Sequence, residues 1–255
     1  MNILIHKENP NTIWAKSSEF LIRLLKSHQK EKILLLLSGG SVVRLYESIN
    51  YYVLGIKYGN ITFAQVDERF QPKPVLSMEN EDMNAITIAK TGLWEACKEK
   101  KIPYYLISQE GTLEEAADNY NNQIESLFEH FSYKMGVLGI GEDAHTAGLL
   151  PGFSNVWNSD KYVVGYDLRQ SGSQGPYCPG GFPFRISVTS RALQMLDQAL
   201  VVAVGDKKTE AIKNALKREN MNNLDKYPAA ILQNVKKVDL FTDILDLTDS
   251  KKGLK

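Results

Sequence analysis

Residues 33–41 run Ile33-Leu34-Leu35-Leu36-Leu37-Ser38-Gly39-Gly40-Ser41, and a helical pattern follows from Val42. Five consecutive apolar residues predict a strand covered on both faces, as in a parallel sheet. The Gly-Gly turn lets backbone N–H groups close around an anion, and a helix N-terminus adds positive partial charge there. By itself such a turn reads equally as a plain tight turn. It is not a Walker loop, because no Gly-Lys-Ser/Thr follows.

The same unit recurs on both sides. Ile61 to Val66, Met135 to Ile140 and Ala199 to Val204 are similar apolar runs, and Arg185 to Thr189 and Lys237 to Thr242 read as further, less wholly apolar strands. Between them, Asn11 to Ser27, Glu81 to Lys98, Leu113 to Phe131 and Lys207 to Arg218 carry helical patterns with polar outer faces. Strand and helix in alternation predict an α/β fold with a mainly parallel sheet wrapped by helices. Asn158 to Phe184, which contains SGSQGPYCPGGFP, is too dense in Gly, Pro and Ser for a packed element. It is expected to be either an irregular surface connection or an active-site lid. No repeat or linker divides the chain, so residues 1–255 are expected to form one domain.

The 255 residues hold 30 Lys+Arg against 30 Asp+Glu, a formal net charge of zero. A chain without net positive charge is not built to coat nucleic acid or an anionic membrane. Cys97 and Cys178 form no CxxC pair and give no disulfide or zinc signature. The opening MNILIHKENP turns polar at once, unlike a signal peptide, and no apolar run approaches the roughly 20 residues of a membrane span. A soluble, cytoplasmic protein is expected.

Ligands of parallel α/β sheets sit outside the carboxyl ends of the strands, so the strand exits carry the functional signal. Asp67-Glu68-Arg69 follows the second apolar run and is either a solvated rim or part of a site. Gly205-Asp206-Lys207-Lys208 leads into a helix, where lysines oppose the macrodipole unless an anion is bound. Arg185 can supply a second cation. After Met135 to Ile140 comes Gly141-Glu142-Asp143-Ala144-His145-Thr146-Ala147-Gly148-Leu149-Leu150-Pro151-Gly152. A His two residues after an Asp at a strand exit suits a general base, because the carboxylate can fix its tautomer. His6, His28 and His130 have no such setting.

Gly139-Ile140-Gly141-Glu142-Asp143-Ala144 matches a dinucleotide fingerprint, yet Pro151 and a further Gly leave no room for a crossover helix, and two carboxylates would face the pyrophosphate. There is no G-x-S-x-G elbow, and His145 has no second His or Cys at metal-ligand spacing.

Taken in order, Ser38-Gly39-Gly40-Ser41, Asp67-Glu68-Arg69, the segment from Gly139 to Gly152, and Arg185-Ile186-Ser187-Val188-Thr189 leading to Gly205-Asp206-Lys207-Lys208 resemble the 6-phosphogluconolactonase family. That family shares a superfamily with glucosamine-6-phosphate deaminases. The resemblance implies a modified Rossmann-like α/β/α sandwich, no metal or organic cofactor, and a monomer or small homo-oligomer. It implies hydrolysis of 6-phosphoglucono-δ-lactone to 6-phosphogluconate in the oxidative pentose phosphate pathway. By position, His145 would activate water, with Asp143 or Asp67 orienting it. Ser38, Gly39, Gly40 and Ser41 would cradle the phosphate, with Arg69, Arg185 and Lys208 as cationic partners.

The deaminase branch usually carries Asn-Glu-Pro here, with the Glu in its acid/base relay; this chain has Leu149-Leu150-Pro151. A non-catalytic sugar-phosphate binder is the other alternative. The chain also departs from the lactonase pattern. Ala144 replaces the usual Gly, Val42-Val43 replaces Thr-Pro, and Gly148 and Leu150 stand where Ser and Phe are more common. If the Gly position is left-handed, Ala144 costs about 1–2 kcal/mol.

Overall fold

The computed structural model describes residues 2–55, 60–71, 82–170 and 182–247. Its strands are β1 (Ile3–Lys7), β2 (Ile33–Leu37), β3 (Ile61–Gln65), β4 (Asp67–Phe70), β5 (Tyr104–Tyr105), β6 (Tyr133–Leu138), β7 (Val163–Asp167), β8 (Phe184–Val188), β9 (Gln198–Ala203) and β10 (Val238–Thr242). Seven of them form one sheet in the order β1-β10-β9-β6-β2-β3-β5, with every neighbouring pair parallel. β2, β3 and β9 are buried at every residue, which explains the unbroken apolar run of β2 and the mainly apolar sequences of β3 and β9.

The helices are α1 (Ile13–Ser27), α2 (Tyr46–Gly55), α3 (Asn84–Ala89), α4 (Leu93–Lys100), α5 (Leu113–His130), α6 (Ser154–Trp157), α7 (Ser190–Gln194) and α8 (Thr209–Leu216). Side chains on alternate sides of β2 separate into two apolar clusters. Leu34 and Leu36 pack with α5 and α8, while Ile33, Leu35 and Leu37 pack with α1, α2 and α4. That is the three-layer arrangement. α5 begins with a capping box, Thr112 accepting from Glu115 N–H while Glu115 accepts from Thr112 N–H, so its start is fixed by sequence.

A second sheet, β4-β8-β7, is small and antiparallel. Four expectations change in the structure. Asp67-Glu68-Arg69 is a strand rather than a loop, because its alternation sends Glu68 and Phe70 into the interior, both fully buried. The Gly/Pro-rich stretch 158–184 is not all turns: Val163–Asp167 supplies β7, whereas residues 171–181 lie outside the described residues, as does Cys178. The helical pattern from Glu81 to Lys98 is two helices, split by a turn ending at left-handed Gly92. The pattern at Lys207 begins as a 3₁₀ turn, Asp206–Lys208, before α8. Among the described residues no helix is long and apolar enough to cross a membrane.

Candidate active site

From β2 the chain steps to β3 on one side and returns to β6 on the other, so the sheet's topological switch lies between β2 and β6. Loops diverge there, and a cleft of about 320 Å³ opens at the carboxyl ends of the strands. Ser38, Gly39, Gly40, Ser41, Asp67, Arg69, His145, Arg185 and Lys208 all line it. Asp143 stands behind His145, its carboxylate 2.5 Å from Nδ1.

After β6 the chain makes no crossover helix. It folds back on itself: Gly141 N–H donates to the His145 carbonyl, Ala144 N–H to the Gly141 carbonyl, and Thr146 Oγ1 to the Gly139 carbonyl. The dinucleotide match is therefore without its structural context. The His145 ring packs against Gly141, where a Cβ would come within 2.2 Å of Cε1 and Nδ1, so only glycine fits. Asp143 also accepts from the His145 backbone N–H, which sets the carboxylate before it meets the ring. Burial opposes ionisation of Asp143, but His145 outweighs it by hydrogen bonding and charge and holds the carboxyl below its ordinary pKa. With Nδ1 occupied, Nε2 is the nitrogen left for a ligand, and it has no hydrogen-bond partner among the described residues.

β4 and β8 supply the opposite wall. Their register sets Arg69 directly against Arg185, and Asp67 against Ser187. Like charges opposite one another destabilise a strand pair, and burial together with Arg185 lowers the Arg69 pKa. The Arg185 side chain is 5% exposed, and its guanidinium makes no hydrogen bond among the described residues. Ser38 Oγ and Arg69 Nε are buried without partners as well. Donors and cations left unsatisfied on the walls of one cleft fit a multiply charged anion. Lys208 enters from the turn after β9; burial lowers its pKa, and Glu142 and Asp243 pull it back up.

Asp67 is nearly buried, and burial raises its pKa against the pull of Arg185, His145 and Arg69. It does not touch the His145 ring by any hydrogen bond among the described residues, so the imidazole's carboxylate partner is Asp143. Asn84 has no signal in the sequence, and Glu68 figures there only as the middle of a charged motif, with no role of its own. Asn84, at the start of α3, lines the cleft and donates Nδ2 to Asp67. Glu68 lies on the inner face of β4 and accepts from the backbone N–H groups of Arg69, Asn84 and Ala85 and from Gln65 Nε2. Burial outweighs the pull of these four donors and leaves its pKa raised to about 7. Among the described residues no three His, Cys, Asp or Glu side chains gather as a metal site would require.

The pattern of the glucosamine-6-phosphate isomerase/6-phosphogluconolactonase family matches residues 8–241. A 6-phosphogluconolactonase from Xylella fastidiosa strain 9a5c is 30% identical over 198 residues, covering 76% of each chain. The solved 6-phosphogluconolactonase of Plasmodium vivax superposes with a TM-score of 0.76 at 19% identity, over 97% of this chain and 92% of that one. A monomeric glucosamine-6-phosphate deaminase also superposes, with a TM-score of 0.65 at 17% identity over 98% of this chain and all of that one. Both enzymes thus share the fold, and the distinction rests on the cleft. The chain belongs to the glucosamine-6-phosphate isomerase/6-phosphogluconolactonase family.

Proposed function

We infer that this protein hydrolyses 6-phosphoglucono-δ-lactone to 6-phosphogluconate. The observation that carries the reading is the imidazole of His145, with Nδ1 tied to Asp143 and the ring lining a cleft whose far wall presents Arg69 and Arg185. In the proposed reaction His145 Nε2 takes a proton from water as the oxygen attacks the lactone carbonyl. The ring C–O bond of the tetrahedral intermediate then breaks, and the imidazolium returns the proton to the departing ring oxygen. Asp143 holds the tautomer that makes Nε2 the base. Asp67 faces His145 and stabilises the imidazolium while it exists. Arg69, Arg185 and Lys208, with the Gly loop, hold the phosphate, so that binding far from the carbonyl positions the reacting centre.

Deamination is disfavoured by one feature. Where that branch carries a Glu, this chain places Leu149 and Leu150, both buried, and neither can move a proton.

The test is direct. Lactone opening releases one proton, so a pH-stat measures turnover above the spontaneous rate with freshly prepared substrate. Wild type is expected to accelerate opening, and His145→Ala to lose about 10²–10⁴-fold. Sugar-phosphate binding without turnover would overturn the reading in favour of a binding protein; ammonia release from glucosamine 6-phosphate would do so in favour of a deaminase.

A further inference from the structure

Asp67 is the one cleft carboxylate whose setting is incomplete without a residue outside the recognised motifs. It is 9% exposed, and the single side-chain hydrogen bond to its carboxylate among the described residues comes from Asn84 Nδ2, at 3.3 Å. The same Nδ2 lies 2.9 Å from the Asp67 carbonyl, so one amide grips both the backbone and the carboxylate of this residue. Asn84 is itself held on three sides. Its backbone N–H donates to Glu68 Oε1 at 2.8 Å, and the next N–H, of Ala85, donates to Glu68 Oε2 at 2.7 Å. Its Oδ1 lies over Gly39, where a Cβ would be only 1.9 Å away. Glu68 is fixed in turn by Gln65, whose Oε1 accepts from Ile107 N–H.

We propose that Asn84 is the positioning residue for Asp67, and that the buried Glu68 carboxylate sets Asn84 between Asp67 and the Gly39 turn. β4 alternation sends Asp67 to the cleft and Glu68 inward, so two adjacent carboxylates divide the work. Asp67 meets the ligand, and Glu68 anchors α3 to the strand so that the Asn84 amide points at Asp67. The bare Cα of Gly39 is then required for the amide to fit, in addition to any contact that turn makes with an anion.

The groups facing Asp67 are Arg69 of its own strand, Arg185 of β8, His145 of the loop after β6, Asn84 of α3, and the buried phenols Tyr46, Tyr120 and Tyr166. Of these, Asn84 is the hydrogen-bond donor to the carboxylate, and it favours the charged form.

The proposal rests on the lactonase reading only for its kinetic consequence, so two measurements are paired. The first is a carbon-13 NMR titration of the Asp67 carboxyl in the ligand-free protein, comparing wild type with Asn84→Ala and Asn84→Asp. Asn84→Asp keeps the shape but puts an acceptor where Nδ2 donates, so it separates loss of the donor from loss of packing and gives a second reading if the alanine variant fails to fold. Both substitutions are expected to move the Asp67 midpoint upward. The second is steady-state lactone hydrolysis, where kcat is expected to fall on the order of 10–10²-fold with KM little changed. An Asp67 titration identical in all three proteins would overturn the proposal whatever the kinetics. Absence of turnover in wild type would instead strike the lactonase reading, and the titration would still decide the role of Asn84.

Discussion

Replacing Asp143 by Asn removes one negative charge and almost no volume, which separates the role of Asp143 in orienting His145 from its role in packing. The carboxylate accepts from the His145 backbone at 3.1 Å and meets Nδ1 at 2.5 Å, and both side chains are about one-third exposed, at 32% and 36%. A hydrogen bond to a charged group contributes about 1.5–3 kcal/mol in general. Discounted for solvent screening at this exposure, the stability loss is about 1 kcal/mol, or roughly 2–4 °C in Tm for a chain of this size. The catalytic loss is expected to be far larger. Asn can present its NH₂ to Nδ1 and leave the proton on Nε2, the wrong nitrogen for a base, and a tautomer error of this kind costs up to about 10⁴-fold in a catalytic triad. A pH-stat assay should therefore show turnover reduced by about 10²–10⁴-fold in a protein that melts nearly normally. The stability difference also has a defined pH window. The native pKa of Asp143 lies below its ordinary 3.8, so its contribution is complete above that value and is lost as pH falls through the native one. Melting curves of the two proteins should converge in acid. Turnover within threefold of wild type, in an Asp143→Asn protein whose His145→Ala counterpart is inactive, would refute the orienting role.

Arg185→Met is expected to raise KM at least tenfold for a phosphorylated lactone while leaving the ligand-free Tm unchanged or higher, because it removes a like-charge neighbour of Arg69 across β4 and β8. Inorganic phosphate is expected to raise the Tm of wild type but not of Arg185→Met, and an equal response in both would show that Arg185 serves something else. Ala144→Gly is expected to change stability by less than about 1 kcal/mol, a Tm shift within roughly 4 °C by differential scanning calorimetry. A larger change in either direction would show that backbone strain and methyl burial at this position are not balanced.

What could be read from the sequence follows the physics of each element. β2 is apolar throughout, and β9 nearly so, because both faces are covered, and a continuous run needs no partner to be recognised. Arg69, Lys208 and His145 were legible because each follows such a strand, and Arg185 because it opens a further one. β4 was not, since three of its four residues are charged and only pairing with β8 makes them a strand. β7 was hidden in a stretch dominated by Gly and Pro, although Val163, Val164 and Tyr166 are buried. Asn84, and the role of Glu68, escaped for a different reason: the Asn84 backbone N–H donates to the Glu68 carboxylate across 16 residues of chain, a contact that no local spacing encodes. The choice between Asp143 and Asp67 as the partner of His145 also required coordinates, because two residues and 78 residues of separation are equivalent once the chain is folded.

Ala144 shows why a departure from a family pattern need not mark a failing site. Its φ is +66°, so the position is left-handed and the penalty on a non-glycine residue applies. That penalty is about 1–2 kcal/mol. Against it, the methyl group is 3% exposed and packs in the main apolar cluster, and burying one such carbon stabilises by about 0.8 kcal/mol. Alanine also restricts the unfolded chain relative to glycine, an effect of about 0.4–1 kcal/mol. The opposing terms cancel to within about 1 kcal/mol, so substitution here is nearly free in stability. It still alters the loop, because a left-handed alanine one residue before His145 has fewer accessible backbone conformations than glycine would. What fixes the imidazole is the fold of the turn, with Gly141 N–H on the His145 carbonyl and the Asp143 carboxylate on both the His145 N–H and Nδ1, so presentation of the ring does not depend on glycine at 144.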